Sequence, residues 1–182
     1  MDDTTRTNLQ SLHSTDRELR YHAFLYLLEA TDKPVDWAYD VWDDMVAMLR
    51  QGDNHQRAIA AQLLANLAKS DPQKRMLRDF DALLAVTRDE RFVTARHCMQ
   101  SIWKVGAAGK EQQEKLVDGL AGRFRECISE KNCTLIRYDI LEGFRKLYDV
   151  VRDEGIRERA LALIETEADS KYRKKHATLW KR

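Results

Sequence analysis

Only two prolines and seven glycines occur in 182 residues. So small a supply of chain-reversing residues excludes a fold of many short strands and tight turns, which needs such residues at most reversals. Cysteine is scarcer than a disulfide framework requires. Cys98, Cys127 and Cys133 are odd in number and lack CxxC spacing, so a reducing cytoplasm is the simplest home. Charge of one sign is also missing. The formal net charge is +1, so no global field points to nucleic acid or to a membrane surface. No apolar run approaches a membrane span, and the N-terminal MDDTTRTNLQ is polar, without the apolar core of a signal peptide. There is no useful stretch of polar and apolar alternation, no linker and no low-complexity tract. A single domain over residues 1–182 is the expectation at this length.

What remains is helix-forming sequence. The hydrophobic fraction is 43% and the charged fraction 34%, a mix that suits amphipathic helices with solvated outer faces. The clearest is DNHQRAIAAQLLANL, Asp53 to Leu67. Asp53 is placed to cap the helix. Ala60, Leu63, Leu64 and Leu67 fall at three- and four-residue steps and make one buried stripe, while Ala58, Ala60, Ala61 and Ala65 let another helix come close. The register recurs. A basic residue is followed at offsets three and seven by apolar ones: Arg20 by Ala23 and Leu27, Arg57 by Ala60 and Leu64, Arg96 by Met99 and Trp103, Arg137 by Ile140 and Phe144. Lys174 is followed at offset three by Ala177. The steps between these basic residues are 37, 39, 41 and 37 residues. A period near 40 with a helix pair in each period is the signature of an α-solenoid.

First helices of the pairs are expected over 35–49, with Ala38, Val41, Trp42, Met45 and Leu49 buried; over 73–87, with Met76, Leu77, Phe80, Leu83 and Leu84; and over 111–129, with Leu116, Leu120, Phe124 and Ile128 in one row. Lys33-Pro34 stops the helix before the first of these. A short helix over 4–12 opens the chain. Gly155 separates the Arg137 helix from one carrying Ile156, Ala160, Leu163 and Ile164, and 153–182 closes the array as a capping unit.

These residues resemble the HEAT repeats, whose second helices read as an acidic residue, a basic one and then alanine-rich apolar positions. The resemblance covers nearly the whole chain and implies an all-α, right-handed α-α superhelix of about four to five helix pairs. The family's acidic position, about six residues before the arginine, is kept only at Glu90, which argues against an Asp–Arg ladder between repeats.

Chemistry-bearing motifs are few. Gly106-Ala-Ala-Gly109-Lys110 has two residues between its glycines where a P-loop needs four, and Glu111 follows the lysine, so a helix end and a turn account for it. His13, His22, His55, His97 and His176 show no metal-ligand spacing, and no serine sits in a nucleophile elbow. Cys127 and Cys133 flank a turn across which they can approach, though free buried thiols are the simpler reading. Trp42 and Trp103 fall in buried registers. The acidic run Asp36, Asp40, Asp43 and Asp44 reads as a solvated face. No catalytic residue, cofactor or metal is expected.

The resemblance implies function through the concave surface lined by second helices: a non-enzymatic scaffold or adaptor that binds another protein. At 100° per residue the face opposite the buried stripe lies at offsets one, five and eight. It carries Tyr21, Leu25 and Leu28, then Ala58, Gln62 and Ala65, then His97, Ser101 and Lys104, then Tyr138, Glu142 and Arg145. Partner-binding residues are expected among Tyr21, Gln62, His97, Ser101, Lys104, Tyr138, Glu142 and Arg145. The alternative is a DNA-binding protein resembling the HEAT-like glycosylases for alkylated bases, which need a basic concave groove; only Lys104 and Arg145 offer one. Other HEAT-like proteins resemble bilin lyases, and no residue here points to a pigment. The tail, with Lys171, Arg173, Lys174, Lys175, Lys181 and Arg182 against Asp169, is placed for at most weak phosphate contact.

Overall fold

A computed structural model describes residues 1–181; Arg182, the last residue of the basic tail, lies outside the described residues. The described chain is all-helical. Helix α1 (Asp3–Ser11) starts where the Asp2 carboxylate accepts from the Thr5 N–H at 2.7 Å. Helix α2 (Arg17–Ala30) starts where Asp16 accepts from Glu18 and Leu19. Helix α3 (Ala38–Gln51) follows the Lys33-Pro34 stop. Helix α4 (Asn54–Leu67) opens on a full capping box. The Asp53 carboxylate takes the Gln56 N–H at 2.8 Å, and the Gln56 side chain takes the Asp53 N–H at 2.9 Å.

Helix α5 (Arg75–Val86) is entered through Lys74, whose φ of 55° is left-handed. Its first N–H groups are met by Asp71, at 2.9 Å from Arg75 N and 2.8 Å from Met76 N. Helices α6 (Phe92–Ser101) and α7 (Trp103–Gly106) are nearly continuous, with Ile102 between them. Helix α8 (Lys110–Glu126) runs into a 3-10 turn, Cys127–Ser129. Helix α9 (Cys133–Val151) ends on Arg152, the second left-handed residue. Helices α10 (Glu154–Glu165) and α11 (Ser170–Ala177) are capped by Asp153 and Asp169.

The packing follows a pattern. Helices α2, α4, α6, α9 and α11 touch in that order, and so do α3, α5, α8 and α10. Between the two lines α3 packs on α4, α5 on α6, α8 on α7 and α9, and α10 on α9 and α11. Helix α4 touches α2, α3, α5, α6 and α7. Its alanines make this possible: Ala58, Ala60, Ala61 and Ala65 are all buried, so neighbouring backbones approach without displacing long side chains. One continuous core runs the length of the chain through Leu27, Trp42, Leu64, Phe80, Phe124 and Phe144. Each such side chain contributes roughly 1.5–3 kcal/mol on burial.

Two details differ from the sequence expectation. Ile128 is 76% exposed, because α8 gives way to a tighter turn at Cys127 that sends the cysteine inward and the isoleucine out. Gly155 does not separate two helices; it lies in the first turn of α10, where its N–H meets the Asp153 carboxylate. Gly106 is the last residue of α7, the helix end that the sequence places there, and has no positive φ. It is buried, and a Cβ there would stand 2.7 Å from Leu116 Cδ2 and 2.8 Å from Leu147 Cδ2, so close packing of α7 on its neighbours requires the glycine.

The absence of an arginine–acid ladder is also corrected. Arg57 reaches Asp89 through two bonds, of 2.6 and 3.2 Å. Arg96 reaches Asp139 at 2.8 and 3.0 Å, and Arg137 reaches Glu167 at 2.8 Å. Three of the four register arginines thus pair with a carboxylate 30 to 43 residues further on; Arg20 donates instead to the Ser14 carbonyl at 2.9 Å. The acids Asp89, Glu130 and Glu167 stand seven positions, not six, before Arg96, Arg137 and Lys174. Glu130 pairs with Arg123, a side chain 1% exposed that also donates to the Thr87 carbonyl at 3.2 and 3.3 Å.

Candidate interaction face

The residues expected to line a partner surface come from α2, α4, α6, α7 and α9, which the packing puts side by side. On α2, Tyr21 is 56% and Leu25 41% exposed, with Leu28 half-buried. On α4, Gln62 is half-buried and donates to the Ala58 carbonyl at 3.0 Å, and Ala58 and Ala65 are covered. His97 on α6 is exposed. Lys104 on α7 is half-buried and donates to Asn66 Oδ1 at 2.6 Å. Burial first, and then the nearby Lys69 charge, pull its ammonium below the ordinary lysine range.

On α9, Tyr138 is half-buried between two groups of α11. Its ring centroid is 6.3 Å from that of His176, and Lys175 Nζ lies 5.1 Å from the ring centroid. Glu142, half-buried, accepts from Lys146 at 2.9 Å.

Two expected positions are corrected. Ser101 is buried, and its hydroxyl turns back on the His97 carbonyl, so it presents nothing to a partner. Small hydroxyls commonly bond the preceding turn in this way, which removes them from a helix's outer surface. Arg145 is half-buried and committed within the chain. Its guanidinium holds Asp149 at 2.9 and 3.0 Å and lies over the Tyr148 and Trp180 rings. The face that remains is therefore Tyr21, Gln62, His97, Lys104, Tyr138 and Glu142.

Sequence reasoning did not find the buried polar groups behind this face. Asn66, 1% exposed, bonds the Leu28 carbonyl and the Thr31 hydroxyl, both at 3.1 Å, besides receiving Lys104. It ties α2, α4 and α7 together. Its one sequence signal is an amide standing between Ala65 and Leu67 on an otherwise apolar face.

A groove of about 220 Å³ between α8 and α10 is lined by Lys110, Gln113, Asp118, Asp153 and Arg159. Four of its charges are paired, Lys110 with Asp153 at 2.7 Å and Arg159 with Asp118 at 2.6 Å, beside Glu114. The Lys110 bond, followed by the Gln113 bond, holds the Asp153 carboxyl down at about 2. Trp42 is a packing residue whose indole N–H meets Asp79 at 3.0 Å. Trp37 and Trp180 are buried as well, and Trp103 is half-buried. Asp43, from the acidic run, lies 3.9–4.0 Å from Arg75 and Arg78. Among the described residues, no group of three His, Cys, Asp or Glu is arranged to hold a metal ion, and no helix is long and apolar enough to cross a membrane.

No protein-family model and no curated protein matches the sequence. Among solved structures, an engineered protein from the Northeast Structural Genomics Consortium aligns with a TM-score of 0.53 and 21% identity over 98% of this chain and 78% of its own. At that identity the similarity is one of fold.

Proposed function

We propose that the chain is a HEAT-like α-solenoid that binds another protein through the face lined by its second helices. The observation that carries the reading is the order of packing. Second helices touch second helices and first helices touch first helices, in chain order, as expected when repeated pairs stack. Such stacking leaves one row of side chains from successive units in line. Here that row offers rings with a polar edge, Tyr21, His97 and Tyr138, alternating with amide and charged groups. Amphipathic rings of this kind suit interface anchors, because they bury large area and keep a hydrogen bond.

The test is cross-linked capture from source lysate, quantified by mass spectrometry, with wild type beside the double substitution Tyr138→Ala and His97→Ala. At roughly 2 kcal/mol for each anchor, capture of the specific partner falls by well over tenfold while helicity is unchanged. Equal capture by the double variant sinks the docking face.

DNA binding is expected to be weak and non-specific. The two cations once available for a basic groove, Lys104 and Arg145, are held by Asn66 and Asp149. That leaves the exposed Lys171, Lys174 and Lys175 on α11. Deleting this helix is the wrong experiment, since His176 and Trp180 are buried and their loss would open the core. Replacing the three lysines with glutamine should abolish any duplex binding seen at low salt, where each phosphate contact contributes about 0.9 to the slope of log K against log salt. Tight binding by that variant at physiological salt would favour the glycosylase-like alternative.

A further inference from the structure

Cys127 and Cys133 lie on either side of the turn between α8 and α9, and their sulfurs are 3.0 Å apart. Both are free thiols. They belong to no part of the interaction face and they differ in access. Cys127 is fully buried; its thiol points to the Phe124 carbonyl at 3.3 Å and to Cys133. Cys133 is half-exposed at the first residue of α9. The segment between them is braced at its centre, where Glu130 receives Arg123 at 2.6 and 2.7 Å. The opening of α9 is braced by Arg137, whose Nε donates to the Phe124 carbonyl at 3.2 Å and whose guanidinium lies 4.7 Å over the Phe124 ring. The two sulfurs are thus held facing each other by groups that do not include them.

We propose that Cys127 and Cys133 form a thiol–disulfide exchange site, oxidised to an intramolecular disulfide by small disulfides such as oxidised glutathione. In the first step the Cys133 thiolate attacks one sulfur of the small disulfide. The protein–glutathione bond forms, the glutathione disulfide bond breaks, and one glutathione leaves as thiolate and takes up the proton released by Cys133. In the second step the Cys127 thiolate attacks Cys133 Sγ and expels the second glutathione, which takes up the Cys127 proton. Two protein thiols are oxidised and one small disulfide is reduced to two thiols, so the electrons balance. The order follows from access: the exposed sulfur meets the reagent and the buried one resolves it. Burial pushes the Cys127 thiol up to about 12, so the buried group is a slow first nucleophile from solution. Once Cys133 carries the leaving group, the 3.0 Å approach makes the second step intramolecular.

Cys98 is the internal control. It is fully buried, its thiol points to the Leu83 carbonyl at 3.4 Å, and burial raises its pKa further.

The experiment incubates the reduced full-length protein with oxidised glutathione, traps remaining thiols by alkylation, and maps peptides by mass spectrometry. Wild type should gain a Cys127–Cys133 cross-link, lose two hydrogens in mass, and keep Cys98 reduced. The cross-link should raise the melting temperature by about 5 °C, since it closes a short loop in the unfolded chain. Cys127→Ser should accumulate the glutathione adduct at Cys133, and Cys133→Ser should stay unmodified. The proposal is overturned if wild type stops at a stable adduct, if both thiols stay free under excess oxidised glutathione, or if Cys133→Ser reacts at Cys127 as fast as wild type.

Discussion

Replacing Ala60 by arginine is expected to destabilise the protein by about 4 kcal/mol, the range of the larger burial penalties. Ala60 is fully buried in the middle of α4, which packs against five other helices. A guanidinium there displaces packed side chains and arrives without a counter-ion. Both effects act in one direction, and a core packed at crystal density has no space to absorb them. For a chain of this size that corresponds to a fall in melting temperature of about 10 °C. The control is His55→Arg, exposed in the first turn of the same helix, where a change below about 0.5 kcal/mol is expected. Equal effects at the two positions would show that α4 does not bury the face assigned to it.

The second large effect is at Glu167. With its side chain 7% exposed and that of Arg137 9% exposed, this is the most enclosed ion pair of the ladder. Glu167→Gln leaves a buried guanidinium without its counter-charge, which costs about 3 kcal/mol. The lower end of the range applies because Arg137 keeps its bond to the Phe124 carbonyl and its place over the Phe124 ring. The double change Arg137→Met with Glu167→Leu should recover most of the loss, since two apolar groups of similar volume need no partner. A double variant no better than the single one would mean that shape, not charge, matters at this site.

The same residue gives a dependence on pH. Burial alone would raise the Glu167 carboxyl, but the Arg137 bond, the Asp169 N–H and the neighbouring positive charges together hold it below its ordinary value of 4.5. A carboxyl depressed in the folded state contributes stability above its unfolded value. That contribution is lost as pH falls below 4.5 and through the folded value. Denaturant titrations across this range should therefore show a shallower acid loss for Glu167→Gln than for wild type.

Much of the fold was legible because helix burial writes a period into sequence. The stripes of α4, α5 and α8 name most of their core residues, and Asp53 marks its helix start by chemistry that depends only on near neighbours. What was not legible is set by distance along the chain. Asp79, Asp139 and Arg123 are charged, and composition places such residues on the surface; their burial rests on partners 7 to 43 positions away, joined at Asp79 by the adjacent Arg78. The ladder escaped for a smaller reason: Asp89 and Glu167 stand one position from where the resemblance put the acid, and Asp139 stands two residues after Arg137 instead of before it. On the interaction face, Tyr21 and His97 follow from helical phase alone. Ser101 and Arg145 do not, because one bond to the preceding turn, or one to Asp149, decides whether a side chain that points outward is also available.

The ladder has a direction. Arg57, Arg96 and Arg137 each look toward the C-terminus for their acid, and the separations are 32, 43 and 30 residues. A chain still being synthesised holds each of these arginines for 30 to 43 residues before the matching carboxylate exists. Until Glu167 has been added, the α9 segment carries Arg137 as a charge that burial penalises and no carboxylate offsets. Of the three pairs only that of Arg96 is completed after the next register arginine has been added, since Asp139 follows Arg137.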